Sequence, residues 1–328
     1  MVNAKHPRKS WIFLVVLVSI APALLLCEIG LRIFYKPFDA DRMEEQFASY
    51  SYSPPINALG FRQADPPANV FDEDHARVLF LGDSFTFGHG VVDGRNRFSA
   101  ILEDRLNRES PTGGPKFHIY NAGTEGSNPG AWLDSLRTLL PVYRPKTVFA
   151  VFFLRDGAGL GTSFVYYKHV FQAFAVDYEK RFWYRHFYVG KLAADVLVRK
   201  RFSEYYVRLM KAPYLGRKRD RAFWIQQQRF VEAIRDECRR NGADFHLVIF
   251  PLLFGLESHY QFRDVEDAIA RFADGAGIPV FSLTPGFLGQ KSRSLWISSL
   301  DQHPNEKGNR IAADTLFPYL KKTLFSLH

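Results

Sequence analysis

Short apolar runs that alternate with stretches of helical period constrain this chain more than any other feature. Val78–Leu81 and Thr147–Leu154 are continuous apolar runs without alternation, so they read as strands buried on both faces of a parallel sheet. Phe117–Tyr120, Phe245–Phe250 and Pro279–Leu283 add three further strands. Between them, Phe98, Ile101, Leu102 and Leu106 fall at helical spacing, as do Leu133, Leu136, Leu140 and Tyr143. Trp224, Val231, Ile234 and Cys238 mark another helix, and Val265–Phe272 a further one. Strands alternating with helices predict an α/β fold, a doubly wound parallel sheet of about five strands in an α/β/α sandwich.

The chain has 328 residues and is 47% hydrophobic, enough for one large domain with a sizeable core and something extra. The extra part begins at the N-terminus. Trp11–Cys27 carries no charge over seventeen residues and follows Lys5, Arg8 and Lys9. As a helix it spans roughly 26 Å, near the lower limit for crossing a membrane. A cleaved signal peptide would use Ala21-Pro22-Ala23, but the apolar run continues through Leu24–Leu26, and Leu26 is too large for a lipoprotein site at Cys27. The expected organisation is a cytoplasmic tail over 1–10, a transmembrane anchor over 11–30 and a linker with a lead-in over 31–75. The domain proper then occupies 76–328, periplasmic or extracellular, with an insertion at about 160–222. Cys27 and Cys238 are the two cysteines, so no disulfide is expected within the domain.

The insertion breaks the strand–helix rhythm. Lys168–Arg221 holds fourteen Lys/Arg against five Asp/Glu, a surplus of nine that equals the net charge of the whole chain. Aromatic residues crowd the same segment, among them Tyr178, Trp183, Tyr188 and Tyr206. Phosphate contacts and stacking faces are both present, but an exported domain rarely meets nucleic acid, so none is expected as partner. An anionic polymer or lipid surface suits the composition, and so does a helical lid whose aromatics pack while its basic groups are solvated.

Chemistry points to Gly82-Asp83-Ser84, which ends the first strand at the carboxyl edge of the sheet, where open α/β folds build their sites. A serine hydroxyl needs a base within hydrogen-bond reach to act as nucleophile at neutral pH. His303 is the best candidate of ten histidines, because Asp301 two residues earlier can orient it in a loop before the final helix. His89 competes, but the turn that exposes Ser84 is expected to carry it away. His118 and His246 fall on strands and are expected to be packed or hydrogen-bonded there.

Gly82-Asp83-Ser84, Gly126, Asp156, and Asp301 with His303 resemble the four sequence blocks of the SGNH hydrolase (GDSL esterase/lipase) superfamily, over about residues 57 to 325. The anchor and the lead-in Asn57-Ala-Leu-Gly60-Phe61-Arg62 are similar to those of its membrane-tethered bacterial members. The resemblance implies a flavodoxin-like sheet, Ser84 as nucleophile, His303 as base and Asp301 as its orienter, with no cofactor and no metal. It implies the Ser84 and Gly126 N–H groups as oxyanion donors, with Arg155 where the family usually has an asparagine side chain as third donor. Asp83, Asn128 and Asp156 are the expected substrate-binding residues. The substrate implied is an ester or acylated glycan, and the activity hydrolysis or O-acyl transfer. The alternative is an SGNH-fold binding or scaffold protein of envelope polysaccharide assembly, its oxyanion hole disabled by Arg155.

Overall fold

The computed structural model describes residues 9–37, 54–65, 71, 75–159, 164–298 and 301–325; the side chains of 9–17 and 164–168 are not among those described. The chain divides into two compact units, Met1–Gln46 with Ser163–Tyr206, and Phe47–Thr162 with Val207–His328.

The second unit holds a sheet of β1 (His75–Gly82), β2 (Lys116–Gly123), β3 (Thr147–Phe153), β4 (Asp244–Phe250) and β5 (Val280–Ser282). All neighbours pair in parallel in the order β2-β1-β3-β4-β5, the flavodoxin-like order. Every residue of β3, the central strand, is buried, as expected for a strand covered on both faces.

Side chains alternate along a strand, so Phe149 and Phe152 lie on opposite faces of β3. Phe149 stacks on Phe80, whose ring meets Phe98 of the helix Phe98–Glu109, and it also stacks on His246, which bonds Tyr319 of the helix Glu306–Phe325. Phe152 meets Trp132 of the helix Pro129–Tyr143 and Trp224 of the helix Ala222–Arg240. Each face therefore carries two helices, which makes the three-layer sandwich. His118 and His246 sit on their strands with tyrosine hydroxyl partners, Tyr143 and Tyr319, each at 2.8 Å.

The carboxyl edge of the sheet is shaped for close backbone approach. The short helix Ser84–Phe87 begins directly after β1 and lies on the end of β2, where a Cβ at Gly123 would stand 2.2 Å from the Phe87 nitrogen. Gly82 gives the same room to Thr86, whose Oγ1 would be 2.0 Å from a Cβ.

In the first unit the N-terminal helix Lys9–Phe34 and the insertion helices Phe164–Glu179, Phe182–His186 and the start of Tyr188–Leu215 belong together. Glu28 caps the last of these, accepting from the Tyr188 and Val189 N–H groups at 2.9 and 3.1 Å. Arg32 bonds Glu28 and the His186 carbonyl and lies over the Tyr188 ring. Tyr178, Ala194 and Val198 form a small core with Phe171, Phe174 and Trp183 around it, so the insertion's aromatics pack largely on one another. The expected anchor falls within the helix Lys9–Phe34. Among the described residues no helix is long and apolar enough to cross a membrane. The first part of the apolar run, residues 11–17, has its side chains outside those described, and residues 1–8 of the expected tail 1–10 lie outside the described residues altogether.

Gly123→Ala should lower unfolding stability by about 2–3 kcal/mol, since the added methyl meets backbone that cannot yield cheaply. Gly275→Ala, with open space around it near the end of a helix, should change stability by less than about 1 kcal/mol. Urea midpoints of the two variants check the contrast.

Candidate active site

Asp83 and Gly88 set the turn that presents Ser84. The Asp83 carboxylate accepts from the Phe85 N–H at 2.9 Å and caps the helix, while Gly88 closes it with φ 78°, a left-handed conformation that side chains resist. Asn121 on β2 fastens the turn from below, donating to the Thr86 carbonyl at 2.7 Å and to Ser99 Oγ at 2.8 Å. Ser84 is the first helical residue, so its N–H has no acceptor within the helix.

The base arrives from the far end of the chain. Asn305 ties down the segment before the last helix, donating to the Ser294 and Trp296 carbonyls at 3.0 Å each, and its side chain accepts from the Gly308 N–H at 3.1 Å. An isolated bridge pairs Trp296 with Pro304, and the Ile297 N–H bonds the His303 carbonyl at 3.1 Å. His303 is thereby held with Nε2 at 2.8 Å from Ser84 Oγ and Nδ1 at 2.5 Å from Asp301 Oδ1. The loop that carries Asp301 and His303 is pinned by these bonds, and the two-residue spacing brings a ring nitrogen and a carboxylate oxygen together without strain on either helix end. Residues 299 and 300, just before Asp301, lie outside the described residues.

His89 is where the structure corrects the sequence expectation. It is not carried away: its ring centroid lies 4.4 Å from that of His303. The His89 N–H donates to the Ser84 carbonyl at 3.0 Å, so the backbone folds back after the short helix. Nε2 faces Asp301 Oδ2 at 3.4 Å, and Nδ1 pairs with Glu125. The hydrogen bond to Asp301 is the main reason its pKa is raised to about 9, against partial burial that works the other way, with Glu125 adding to the rise. Burial alone would raise the Asp301 carboxyl, but the hydrogen bonds from His303 and His89 outweigh it and hold it far below the usual carboxylate range.

Arg62, from the lead-in, explains where His89 sits. Its guanidinium is buried and donates to the Gly88 carbonyl at 2.6 Å and to the carbonyl of Val91, on either side of His89. Arg97 in turn donates to the Arg62 carbonyl at 2.7 Å, and Asn57 orders the lead-in by accepting from the Leu59 and Phe61 N–H groups at 3.0 Å each. Sequence reasoning found the lead-in but no role for it.

The remaining expected residues spread around this core. Asp83 and Asp156 are both buried and share a hydrogen bond. Burial is the main cause that pushes Asp83 up to about 6 and Asp156 well above the ordinary value, and the neighbouring charge of Asp83 adds to the shift of Asp156. Asp156 also accepts from the Phe153 N–H at 2.7 Å, which folds the chain just after β3. Arg155 stands in that turn; its charge draws both carboxyls downward, and its Nε and Nη2 atoms are buried without a hydrogen-bond partner among the described residues. Gly126 lies in the turn after β2 with φ 69°, and its N–H has no acceptor among the described residues. Asn128 caps the helix Pro129–Tyr143, accepting from the Gly130 N–H at 3.0 Å.

His89, Asp301 and His303 bring ligand atoms within 4.8 Å of one another, close enough for a metal ion by distance. These atoms are already engaged with each other, Ser84 and Glu125, so the trio reads as a hydrogen-bonded relay.

No family model matches the sequence, and no curated protein matches it. Among solved structures the chain is similar to TesA, at 16% identity and a TM-score of 0.46, over 76% of this chain and 99% of that one. The psychrotrophic esterase EstA from Pseudoalteromonas sp. matches at 16% identity and a TM-score of 0.46, over 76% of this chain and 98% of that one. A member of the lipolytic protein G-D-S-L family from Veillonella parvula matches at 13% identity and a TM-score of 0.40, over 75% and 98% of the two chains.

Proposed function

We propose that the chain is an SGNH-type serine esterase or O-acyltransferase that works through an acyl-Ser84 intermediate on acyl or acetyl esters. The observation that carries this reading is the unbroken line Ser84 Oγ, His303 Nε2, His303 Nδ1, Asp301 Oδ1, with spacings of 2.8 and 2.5 Å. Ser84 attacks the ester carbonyl while His303 takes its proton, and Asp301 holds the imidazole and balances the imidazolium that forms. The Ser84 and Gly126 N–H groups and the Arg155 guanidinium receive the oxyanion. A fixed donor of this kind is worth about 3 to 4 kcal/mol in the transition state. On collapse the alcohol leaves with the proton from His303. Water or a sugar hydroxyl then gives its proton to His303 and takes the acyl group, and His303 passes that proton to the departing Ser84 Oγ, which restores both residues.

Arg155 differs from the usual asparagine by a full charge and a longer reach. Its two unpartnered buried nitrogens favour a donor kept for a ligand oxygen over a disabled site. The binding-protein reading lacks a comparable observation, because it leaves the Ser84–His303–Asp301 line without a purpose.

The reading extends to location and substrate. The N-terminal helix tethers the enzyme to a membrane with the catalytic unit on the periplasmic or extracellular side. The substrate or acceptor is an envelope polysaccharide, and the basic insertion meets an anionic polymer or lipid. The apolar run Trp11–Cys27 and the positive surplus of Lys168–Arg221 support this.

Hydrolysis of p-nitrophenyl acetate by the full chain tests the core of the proposal. Ser84→Ala and His303→Gln should each lower kcat/KM by at least about a thousandfold while melting normally. Loss of activity in neither variant, or no turnover by a folded wild type, contradicts it. Arg155→Ala should cost about 10²–10³ in kcat with little change in KM. A kcat within threefold of wild type removes Arg155 from the oxyanion site.

A further inference from the structure

His89 has no part in the acyl-transfer steps above, yet it is held more firmly than a bystander. Its two ring nitrogens face carboxylates from two different loops, Glu125 after β2 and Asp301 before the last helix. Its backbone is fixed by the Ser84 carbonyl on one side and by the buried Arg62 clamp on the Gly88 and Val91 carbonyls. A Cβ at Gly90 would stand 2.0 Å from Ile297, so the His89 turn packs directly on the loop that carries Asp301 and His303.

Asp301 therefore serves two imidazoles, one with each oxygen: Oδ1 meets His303 and Oδ2 meets His89. We propose that His89 is a positioning residue that fixes the Asp301 carboxylate from behind and holds a positive charge beside His303 through neutrality, so that the Ser84–His303 pair works further into the acid range. The inference rests on the serine-esterase reading.

The geometry supplies both halves. A carboxylate held through one oxygen alone can swing about its Cβ–Cγ bond; contacts at both oxygens fix the plane in which Oδ1 meets Nδ1 of His303. The charge follows from the surroundings. The groups that face His89 are Glu125 from the loop after β2, and Asp301 and His303 from the loop before the last helix. The Arg62 and Arg97 guanidiniums lie behind its turn and bond backbone carbonyls. Two anions at its nitrogens keep His89 protonated through neutrality, in line with a pKa of about 9. A cation with its ring 4.4 Å from His303 opposes a second positive charge there.

The same tie carries a stability signature that needs no substrate. A histidine whose folded pKa is raised from 6.5 to about 9 adds stability in full below 6.5, and the contribution is lost as the pH rises through about 9.

The test compares the full-length wild type with His89→Gln and His89→Lys. Three readouts are taken: the pH dependence of kcat/KM on p-nitrophenyl acetate, the pH dependence of fluorophosphonate labelling, and urea stability at pH 6 and pH 10. In His89→Gln the acid limb of both rate profiles should move upward by about one pH unit, with the plateau falling less than tenfold. His89→Lys, which keeps a cation between the two carboxylates, should return the limb to near its wild-type position. His89→Gln should be less stable than wild type at pH 6 and equal to it at pH 10.

An acid limb that stays in place in His89→Gln overturns the inference, whatever happens to the plateau. Loss of all turnover in His89→Gln with activity kept in His303→Gln also overturns it, because His89 is then the base itself. A folded wild type that neither turns over nor labels defeats the esterase reading. In that case the stability comparison decides the tie alone: a deficit confined to pH 6 upholds it, and a deficit equal at both pH values refutes it.

Discussion

The site depends on one close packing contact, the Ser84–Phe87 helix lying against the ends of β1 and β2. A chain that follows a strand with a helix must turn sharply at the sheet's carboxyl edge, and here the turn is folded so tightly that its backbone rests where a side chain at Gly123 would project, and the Thr86 side chain rests where one at Gly82 would. With that contact made, Ser84 faces outward, Gly88 reverses the chain, and His89 returns beside Ser84. Asn121 closes the arrangement by giving both amide hydrogens to the turn and its neighbouring helix. Each of these residues acts through a bond to backbone, which fixes direction more strictly than side-chain packing alone.

Around this turn the structure separates two carboxylate systems by their surroundings. Asp301 is surrounded by imidazoles, whose hydrogen bonds hold its carboxyl far below the usual range, whereas Asp83 and Asp156 are buried together and burial raises both. The difference has a chemical consequence. Only the charged carboxylate is bonded to His303, so the imidazole is oriented by a partner of fixed sign while the buried pair organises the turns after β1 and β3. Arg155 lies by the buried pair, and two of its nitrogens have no hydrogen-bond partner among the described residues.

What the sequence made legible divides along the range of the interactions. The five strands, their parallel pairing and the helices between them follow from local pattern, and so does the placing of Ser84 at a strand end. Asp301 and His303 could be singled out because their chemistry is complete within three residues. His89, Arg62 and Glu125 could not, because their partners are far away in sequence: Glu125 lies 36 residues from His89, and Gly88 lies 26 from Arg62. A buried arginine that bonds backbone carbonyls leaves no periodic signature. The joining of the N-terminal helix with the insertion was hidden for the same reason, as Glu28 meets Tyr188 across 160 residues. The one local clue was the lead-in itself, where Asn57 and Gly60 shape a turn just before Arg62.

The central claim is that Ser84 is a nucleophile activated by His303, and mass spectrometry of the full chain after reaction with a fluorophosphonate tests it most directly. The account predicts a single adduct on the peptide that contains Ser84, formed faster near neutral pH than in acid and absent from the His303→Gln protein. No adduct on a folded wild-type chain, or an adduct at Ser84 that forms at the same rate without His303, would contradict it.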